Sequence, residues 1–237
     1  MKIAIIGYGK MGQEIEKIAT ERNHEIVLKI DENNQSLFTK KNLQKTDVAI
    51  DFSTPEVAYS NILNCFSAGV SVVAGTTGWL ENYDNAVTEC KKLKLAFFYA
   101  SNFSLGVNIF SEVNKHLAKI MNKHSDYEIT IEEAHHIHKV DAPSGTAISL
   151  ANDIIKNVDR KKSWNKTNQD KNEILISSIR EGNIPGIHTI IYDSYVDKLE
   201  IKHTAKNRKG FALGAVLAAE FIKNKTGIFS MSDLLNL

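Results

Sequence analysis

Residues 133–147, E-A-H-H-I-H-K-V-D-A-P-S-G-T-A, concentrate the side chains of this chain that could do chemistry. Imidazoles and an amine can transfer protons, and they stand here at His135, His136, His138 and Lys139. Ser144 can cap a helix that starts at Gly145, and the free backbone N–H groups of a helix start bind anions. Proton donors next to an anion site indicate chemistry on a small carboxylate.

A strand and a helix must position these residues. Apolar residues at Tyr127, Ile129 and Ile131 alternate with polar ones, which predicts a half-buried strand over 127–134. Apolar residues at helical spacing between Ile148 and Ile155 predict a helix after the proline. The motif therefore lies on a strand-to-helix connection.

Two simpler interpretations of the motif exist. Neighbouring strand residues point to opposite faces, so the three histidines cannot all reach one metal ion, and we expect no metal site. The Ser-Gly-Thr sequence after proline is by itself an ordinary helix cap. The combination of all fifteen residues favours a functional site over a cap alone.

A second motif stands at the start of the chain. Residues 7–12 read G-Y-G-K-M-G between a buried apolar strand, Ile3–Ile6, and a helix over 13–22. Such glycines permit a tight turn, the approach of a pyrophosphate and close packing of the helix on the strand. A second strand ends at Asp31, whose carboxylate can bind the ribose hydroxyls. The pattern predicts dinucleotide binding.

Strands and helices alternate up to residue 104, which predicts an α/β fold with a Rossmann-like, doubly wound parallel sheet. Ligands of such sheets bind at the carboxyl ends of the strands. The loops at 75–78 and 100–104 follow the fourth and fifth strands, so we expect them on the nicotinamide side of the site.

The pattern changes after residue 104. A long helix over 105–121 and strands at 127–134, 173–179, 187–193 and 198–204 predict an α+β domain with a mixed sheet. The charged connection 159–172 is expected to be exposed. The helix over 211–222 is apolar nearly all round, so it must be buried, either on the first domain or in a subunit interface.

The composition excludes several classes of protein. The chain has 237 residues, 43% hydrophobic content and a formal net charge of +1, which is typical of a soluble globular protein and not of a nucleic-acid binder. Two cysteines do not form a disulfide framework, and no apolar run is long enough for a membrane span. We therefore expect a cytoplasmic protein.

Five segments together resemble one family. They are G-Y-G-K-M-G at 7, which includes Met11, G-T-T-G at 75, A-S-N-F-S-L-G-V-N at 100, E-A-H-H-I-H-K-V-D-A-P-S-G-T at 133, and I-R-E-G-N-I-P-G-I-H-T at 179. The chain is similar along nearly its whole length to the 4-hydroxy-tetrahydrodipicolinate reductases, also called dihydrodipicolinate reductases. The histidine motif is specific to that family, whereas the glycine pattern is not.

The resemblance implies an oxidoreductase of diaminopimelate and lysine biosynthesis. It would reduce (2S,4S)-4-hydroxy-2,3,4,5-tetrahydrodipicolinate to tetrahydrodipicolinate with NADH or NADPH, as a homotetramer. Residues 1–103 with 205–237 would bind the dinucleotide, and residues 104–204 would bind the substrate and form the oligomer.

The resemblance also implies the roles of single residues. His135 would be the acid/base residue and Lys139 the second proton donor, with the substrate bound by His136, Gly145 and Thr146. The cofactor would be bound by Gly7, Tyr8, Gly9, Lys10, Met11, Gly12, Asp31, Gly75, Thr76, Thr77, Ala100, Ser101, Asn102 and Phe103.

Two questions stay open at the level of sequence. Another nicotinamide-dependent dehydrogenase acting on a small amino or carboxylic acid, or a nucleotide-sensing module, would share the glycines but not use the histidine motif. Asp31 and Glu32 predict that NADH is used at least as well as NADPH, unless Lys10, Lys40 or Lys41 reaches the adenosine site. The segment between 31 and 47 is short, which puts its crossover helix in doubt.

Overall fold

The computed structural model describes residues 1–167, 170–207 and 209–237. The chain forms two compact units, one made of residues 1–105 with 209–237 and the other of residues 106–208. Within the described ranges, no helix combines the length and the apolar character that a membrane crossing needs.

The first unit contains six strands, β1 Lys2–Ile6, β2 Glu25–Ile30, β3 Val48–Asp51, β4 Ser71–Ala74, β5 Ala96–Tyr99 and, late in the chain, β11 Gly227–Phe229. Its helices are α1 Lys10–Glu21, α2 Lys40–Leu43, α3 Pro55–Ser67, α4 Tyr83–Lys92, α7 Lys209–Ile222 and α8 Met231–Leu235. The strand order is β11-β5-β4-β3-β1-β2 and all pairings are parallel, as the sequence predicts.

Apolar layers cover both faces of this sheet. Alternating residues of β1 point to opposite sides, so Ile3 and Ile5 pack in the layer with α1 and α7, whereas Ala4 and Ile6 pack in the layer with α3 and α4. Helix α7 is buried against this sheet. Of the two locations that its apolar composition allowed, the first domain or a subunit interface, the structure thus shows the first. The parallel, doubly wound sheet predicted from the sequence is confirmed.

The second unit contains α5 Leu105–Met121, except for its first residue, together with α6 Gly145–Asn157. Its strands are β6 Glu128–His135, β7 Ser163–Asn165, β8 Glu173–Arg180, β9 Ile187–Asp193 and β10 Lys198–Thr204. The order is β10-β9-β6-β8-β7. Strand β6 runs parallel to β8 and antiparallel to β9, so the sheet is mixed, as predicted. Ile129 and Ile131 of β6 pack in one core with residues of α5 and α6.

Two segments differ from the sequence prediction or complete it. The connection 159–172 is not exposed throughout, because it contains β7 and the buried Lys161, while 168–169 lie outside the described residues. Lys161 donates to the carbonyl oxygens of Lys171 and Glu173 at 3.0 and 2.7 Å and pairs with Glu128, so its charge is satisfied inside the protein. The short segment after Asp31 holds a 3₁₀ turn and the four-residue α2 in place of a long crossover helix.

Candidate active site

The end of β6 carries the first imidazole of the motif. His135 is the last residue of this strand and is buried. Glu133 lies two residues earlier on the same face of the strand, because strand side chains alternate. Its Oε2 atom lies 2.5 Å from Nδ1 of His135. The two side chains form a buried carboxylate–imidazole pair.

Several donors hold the Glu133 carboxylate in place. Its Oε1 atom accepts from Nη2 of Arg180 at 2.7 Å and from the backbone N–H of Ser144 at 3.3 Å. Burial raises the pKa of Glu133, but hydrogen bonds from Ser178 and Arg180 help to bring it below the ordinary value. Glu133 is therefore an anion at neutral pH and can stabilise a protonated imidazole.

The pKa of His135 is subject to opposing effects. Burial lowers it most, the Glu133 carboxylate raises it, and the Lys139 ammonium lowers it again. The result lies below the ordinary value, so the unliganded protein holds a mostly neutral imidazole at pH 7. A bound dianion adds negative charge and raises this pKa.

His188 completes a buried cluster with Glu133 and His135. It lies on β9 directly opposite Glu133, and its ring centroid is 5.2 Å from that of His135. Burial lowers the pKa of His188 to about 4, so its ring is neutral at physiological pH. One ligand atom from each of the three residues lies within 4.8 Å of the others, a donor set that could hold a metal ion. Because Arg180 already neutralises Glu133, the absence of a metal site stays our prediction.

The turn after β6 carries the other candidate proton donors. His136 is half-buried and His138 is exposed, with ring centroids 6.3 Å apart. The Lys139 ammonium is bound by the carboxylate of Asp141, at distances of 2.7 and 2.9 Å from its two oxygens. An anionic substrate that binds Lys139 must therefore compete with Asp141.

Helix α6 begins where the sequence predicts. Ser144 is its N-cap, and the Ser144 Oγ atom accepts from the N–H of Ala147 at 3.2 Å. Gly145 is exposed and Thr146 is half-buried in the first turn, whose N–H groups have no partner within a helix. A Cβ atom on Gly145 would meet no atom of the described residues within 4 Å. The helix start is thus open to an anion.

The glycine motif of the first unit has the geometry of a dinucleotide site. Gly7 has a φ of +91°, and a Cβ atom there would lie 2.2 Å from the carbonyl oxygen of Phe52. A Cβ atom on Gly12 would lie 2.5 Å from the carbonyl oxygen of Gly7, so only glycine allows this close packing. Gly9 is the N-cap of α1, and a Cβ atom there would meet none of the described residues within 4 Å. The motif leaves room for a phosphate at a helix start.

The other candidate cofactor residues lie at the same edge of the sheet. Tyr8, Lys10 and Met11 belong to the glycine motif, and Asp31 follows β2. Gly75, Thr76 and Thr77 follow β4, and residues 100–103 follow β5. Because the carboxyl ends of parallel strands share one edge, the structure brings all these positions to one side of the sheet.

Sequence reasoning gave no role to Glu133, Arg180 or His188. The spacing of two residues between Glu133 and His135 was an available signal, because it places both on one face of a strand. Arg180 and His188 reach the site only through the pairing of β8 and β9 with β6. A local sequence pattern does not contain this register.

Comparison with known proteins places the chain in a family. Residues 1–103 match the family described as dihydrodipicolinate reductase, N-terminus, and residues 106–235 match dihydrodipicolinate reductase, C-terminus. The chain belongs to the dihydrodipicolinate reductase family.

Individual relatives agree with this placement in the dihydrodipicolinate reductases. The 4-hydroxy-tetrahydrodipicolinate reductase of Christiangramia forsetii is 53% identical over 238 residues, covering 100% of this chain and 98% of that protein. The reductase of the same name from Buchnera aphidicola subsp. Cinara cedri is 37% identical, covering 90% and 82%. A solved structure, dipicolinate-bound dihydrodipicolinate reductase from Paenisporosarcina sp. TG-14, has a TM-score of 0.80 at 23% identity, covering 97% of both chains, which supports the fold.

Membership in the dihydrodipicolinate reductase family confirms the resemblance seen in the motifs. The chain is an NAD(P)H-dependent oxidoreductase of the family that serves diaminopimelate and lysine biosynthesis. The Rossmann-like sheet and the mixed second sheet are confirmed as well.

Proposed function

We propose that this chain reduces (2S,4S)-4-hydroxy-2,3,4,5-tetrahydrodipicolinate to tetrahydrodipicolinate with NADH or NADPH. The observation that carries the proposal is the buried pair of His135 and Glu133, which is hydrogen-bonded to the backbone of Ser144 at the open start of α6. The Glu133 side chain thereby links the proton donor His135 to the start of α6, where a substrate carboxylate would bind.

The net reaction replaces a hydroxyl group on ring carbon C4 by hydrogen. Loss of water leaves a C=C bond conjugated with the C=N bond, hydride adds at C4, and a proton is added to the carbon next to it. The nicotinamide supplies the hydride when it is bound. The protein must supply the proton and hold the two carboxylates.

We assign the proton delivery to His135. The Glu133 carboxylate at 2.5 Å from Nδ1 fixes the orientation of the ring and stabilises its protonated form. Lys139 would neutralise negative charge on the substrate and act as a second donor once it leaves Asp141. His136 and the first N–H groups of α6, at Gly145 and Thr146, would bind the carboxylates.

The cofactor would lie on the first unit. The open start of α1 at Gly9 suits the pyrophosphate, and Asp31 suits the ribose hydroxyls. The remaining cofactor residues would be Gly7, Tyr8, Lys10, Met11, Gly12, Gly75, Thr76, Thr77, Ala100, Ser101, Asn102 and Phe103. A homotetramer and a cytoplasmic location complete the proposal.

The decisive experiment for this function is a coupled assay. A synthase generates the unstable substrate in place, and the oxidation of NADH and of NADPH is followed in parallel. Substrate-dependent oxidation of either cofactor is expected. Cofactor oxidation only with another amino or carboxylic acid would favour the alternative dehydrogenase, and none with any substrate would favour a nucleotide-sensing module.

The pH profile provides a separate prediction. Turnover needs protonated His135, whose pKa in the free protein lies below its ordinary value. The value of kcat/KM is therefore expected to fall as pH rises through this lowered pKa. The value of kcat should fall only at higher pH, because the bound dianion raises the pKa of His135 in the substrate complex. Steady-state rates across the pH range measure both limbs. Coincident limbs would contradict the electrostatic argument.

The second prediction concerns the cofactor. We expect kcat/KM for NADH to equal or exceed that for NADPH, because Asp31 and the exposed Glu32 repel a 2′-phosphate. Lys29 does not offset them, since its ammonium pairs with Glu16 at 3.2 Å. The ratio of kcat/KM for the two cofactors at fixed salt measures the preference. A tenfold preference for NADPH, about 1.4 kcal/mol, would refute it.

A pair of variants sharpens this test. Glu32→Arg is expected to raise kcat/KM for NADPH relative to NADH, since a guanidinium can pair with the phosphate. Glu25→Arg makes the same charge change at the other end of β2, where Glu25 is also exposed, and serves as the control. Equal shifts in both variants would show a long-range charge effect and no local recognition.

A further inference from the structure

A buried carboxylate lies at the carboxyl end of β3. Asp51 is the last residue of this strand and is only 1% exposed. We infer that Asp51 is a positioning residue for the cofactor, because it ties the loop after β3 to the loop after β4. The inference rests on the proposed function, which gives the loop after β4 to the cofactor.

The contacts of Asp51 show how it joins the two loops. Its Oδ1 atom accepts from Oγ1 of Thr76 at 2.6 Å, and both its oxygens lie 3.0 Å from Oγ of Ser53. Its Oδ2 atom accepts from Nδ2 of Asn61 at 3.1 Å. The Thr76 hydroxyl also accepts from the N–H of Ser53 at 2.9 Å. The carboxylate, Thr76 and Ser53 are thus linked in a closed set of hydrogen bonds.

The side chains of Thr76, Ser53 and Asn61 all donate hydrogen bonds to the Asp51 carboxylate. Burial raises the pKa of Asp51 above its ordinary value, and hydrogen bonds from Thr76, Asn61 and Ser53 counteract that rise. Without the carboxylate, buried donors on both loops would lose their acceptor, which is costly. The loops would then shift to find other partners.

A shift of the loop after β3 would reach the other cofactor loops. The carbonyl oxygen of Phe52 would lie 2.2 Å from a Cβ atom on Gly7, and its ring would lie 2.2 Å from one on Gly75. The Phe52 ring also packs on that of Phe103, with centroids 5.5 Å apart. The residue next to Asp51 therefore contacts the glycine motif and the loops after β4 and β5.

The position of Asp51 in the sheet supports the same role. Asp51 pairs with Ile6, the residue just before the glycine motif, across β3 and β1. The strand order reverses direction here, since β2 lies on one side of β1 and β3, β4 and β5 on the other. Ligands of doubly wound sheets bind at this reversal.

The test is the substitution Asp51→Ala. We expect the dissociation constant of NADH and its KM to rise about tenfold, with kcat and the substrate KM changed less than about threefold. NADH fluorescence without substrate gives the dissociation constant, and the coupled assay gives the rest. Asp51→Asn is expected to restore most of the affinity, because its Oδ1 remains an acceptor and Asn61 can rotate its amide.

The control is Asp47→Ala, at the other end of the same strand. Asp47 accepts from the N–H of Lys2 at 2.7 Å, so its loss should lower the melting temperature without changing NADH binding. Wild-type NADH affinity in Asp51→Ala, or equal weakening in Asp47→Ala, would overturn the inference.

A milder variant covers the case in which Asp51→Ala does not fold. Asn61→Ala removes one donor to the carboxylate and is expected to weaken NADH binding about threefold. Unchanged NADH affinity in a folded Asn61→Ala protein would then overturn the inference. NADH binding is measured without turnover, so an inactive wild-type protein would count against the proposed function and not against the role of Asp51.

Discussion

Replacing His135 by glutamine is expected to lower kcat by about 10²–10⁴-fold, the usual loss when a general acid is removed. Glutamine can still donate a hydrogen bond to Glu133, so the buried pair should keep its place while the proton is no longer available. The substrate KM should stay near that of the wild type. The coupled assay with NADH measures both constants.

His138→Gln is the matched control for this loss. His138 belongs to the same motif, but its side chain is exposed, so its removal should change kcat by less than about twofold. Lys139→Ala is expected to lower kcat and also to raise the substrate KM, because it removes a charge partner of the substrate. Turnover near that of the wild type in His135→Gln would show that another group delivers the proton.

The sequence predicted the elements whose patterns are local and strongly periodic. Helix α5 has the bounds that its apolar spacing indicates, Leu105–Met121, and the cap at Ser144 starts α6 as expected. The glycine motif follows β1 as predicted, but α1 begins at Lys10 and not at residue 13, so the second half of the motif forms the first turn of the helix. In each case one stretch of sequence contains both the turn chemistry and the apolar face.

Local patterns did not predict the residues that surround the His135–Glu133 pair. Arg180 lies opposite His135 in the pairing of β6 with β8, and His188 lies opposite Glu133 in the pairing with β9. Each pairing joins residues more than forty positions apart in the chain, so the register decides which side chains meet. The carboxylate–imidazole pair could have been found from its spacing, whereas the guanidinium that holds it could not.

Lys161 shows the same limit for a charged residue. It lies in a polar connection whose composition predicts exposure to solvent. In the structure it is only 1% exposed and binds Glu128 together with two carbonyl oxygens. A lysine is buried only where such partners surround its ammonium. Those partners come from β6, from the first residue of β8 and from the chain just before it, and their convergence is a property of the folded sheet.

Gly145→Val is expected to abolish inhibition by pyridine-2,6-dicarboxylate. The inhibition constant should rise by about 100-fold or more, which corresponds to the loss of a pair of charge-assisted hydrogen bonds. This planar dicarboxylate carries both carboxylates of the substrate but no acceptor for hydride, so the wild type should bind it competitively. A Cβ atom at Gly145 would meet none of the described residues within 4 Å. The fold should therefore tolerate valine, while the branched side chain fills the space over the helix start where the carboxylate docks.

Ser149→Val is the control, since Ser149 is exposed one helical turn further along α6. It introduces the same β-branched side chain into the helix, with a cost below about 1 kcal/mol, but leaves the first N–H groups open. Its inhibition constant should stay within about twofold of the wild type. Equal inhibition of Gly145→Val and wild type would show that the carboxylate binds elsewhere. Equal inhibition of the wild type by pyridine-2-carboxylate would show that the second carboxylate makes no contact, because a dianion held at two points must bind more tightly than a monoanion held at one.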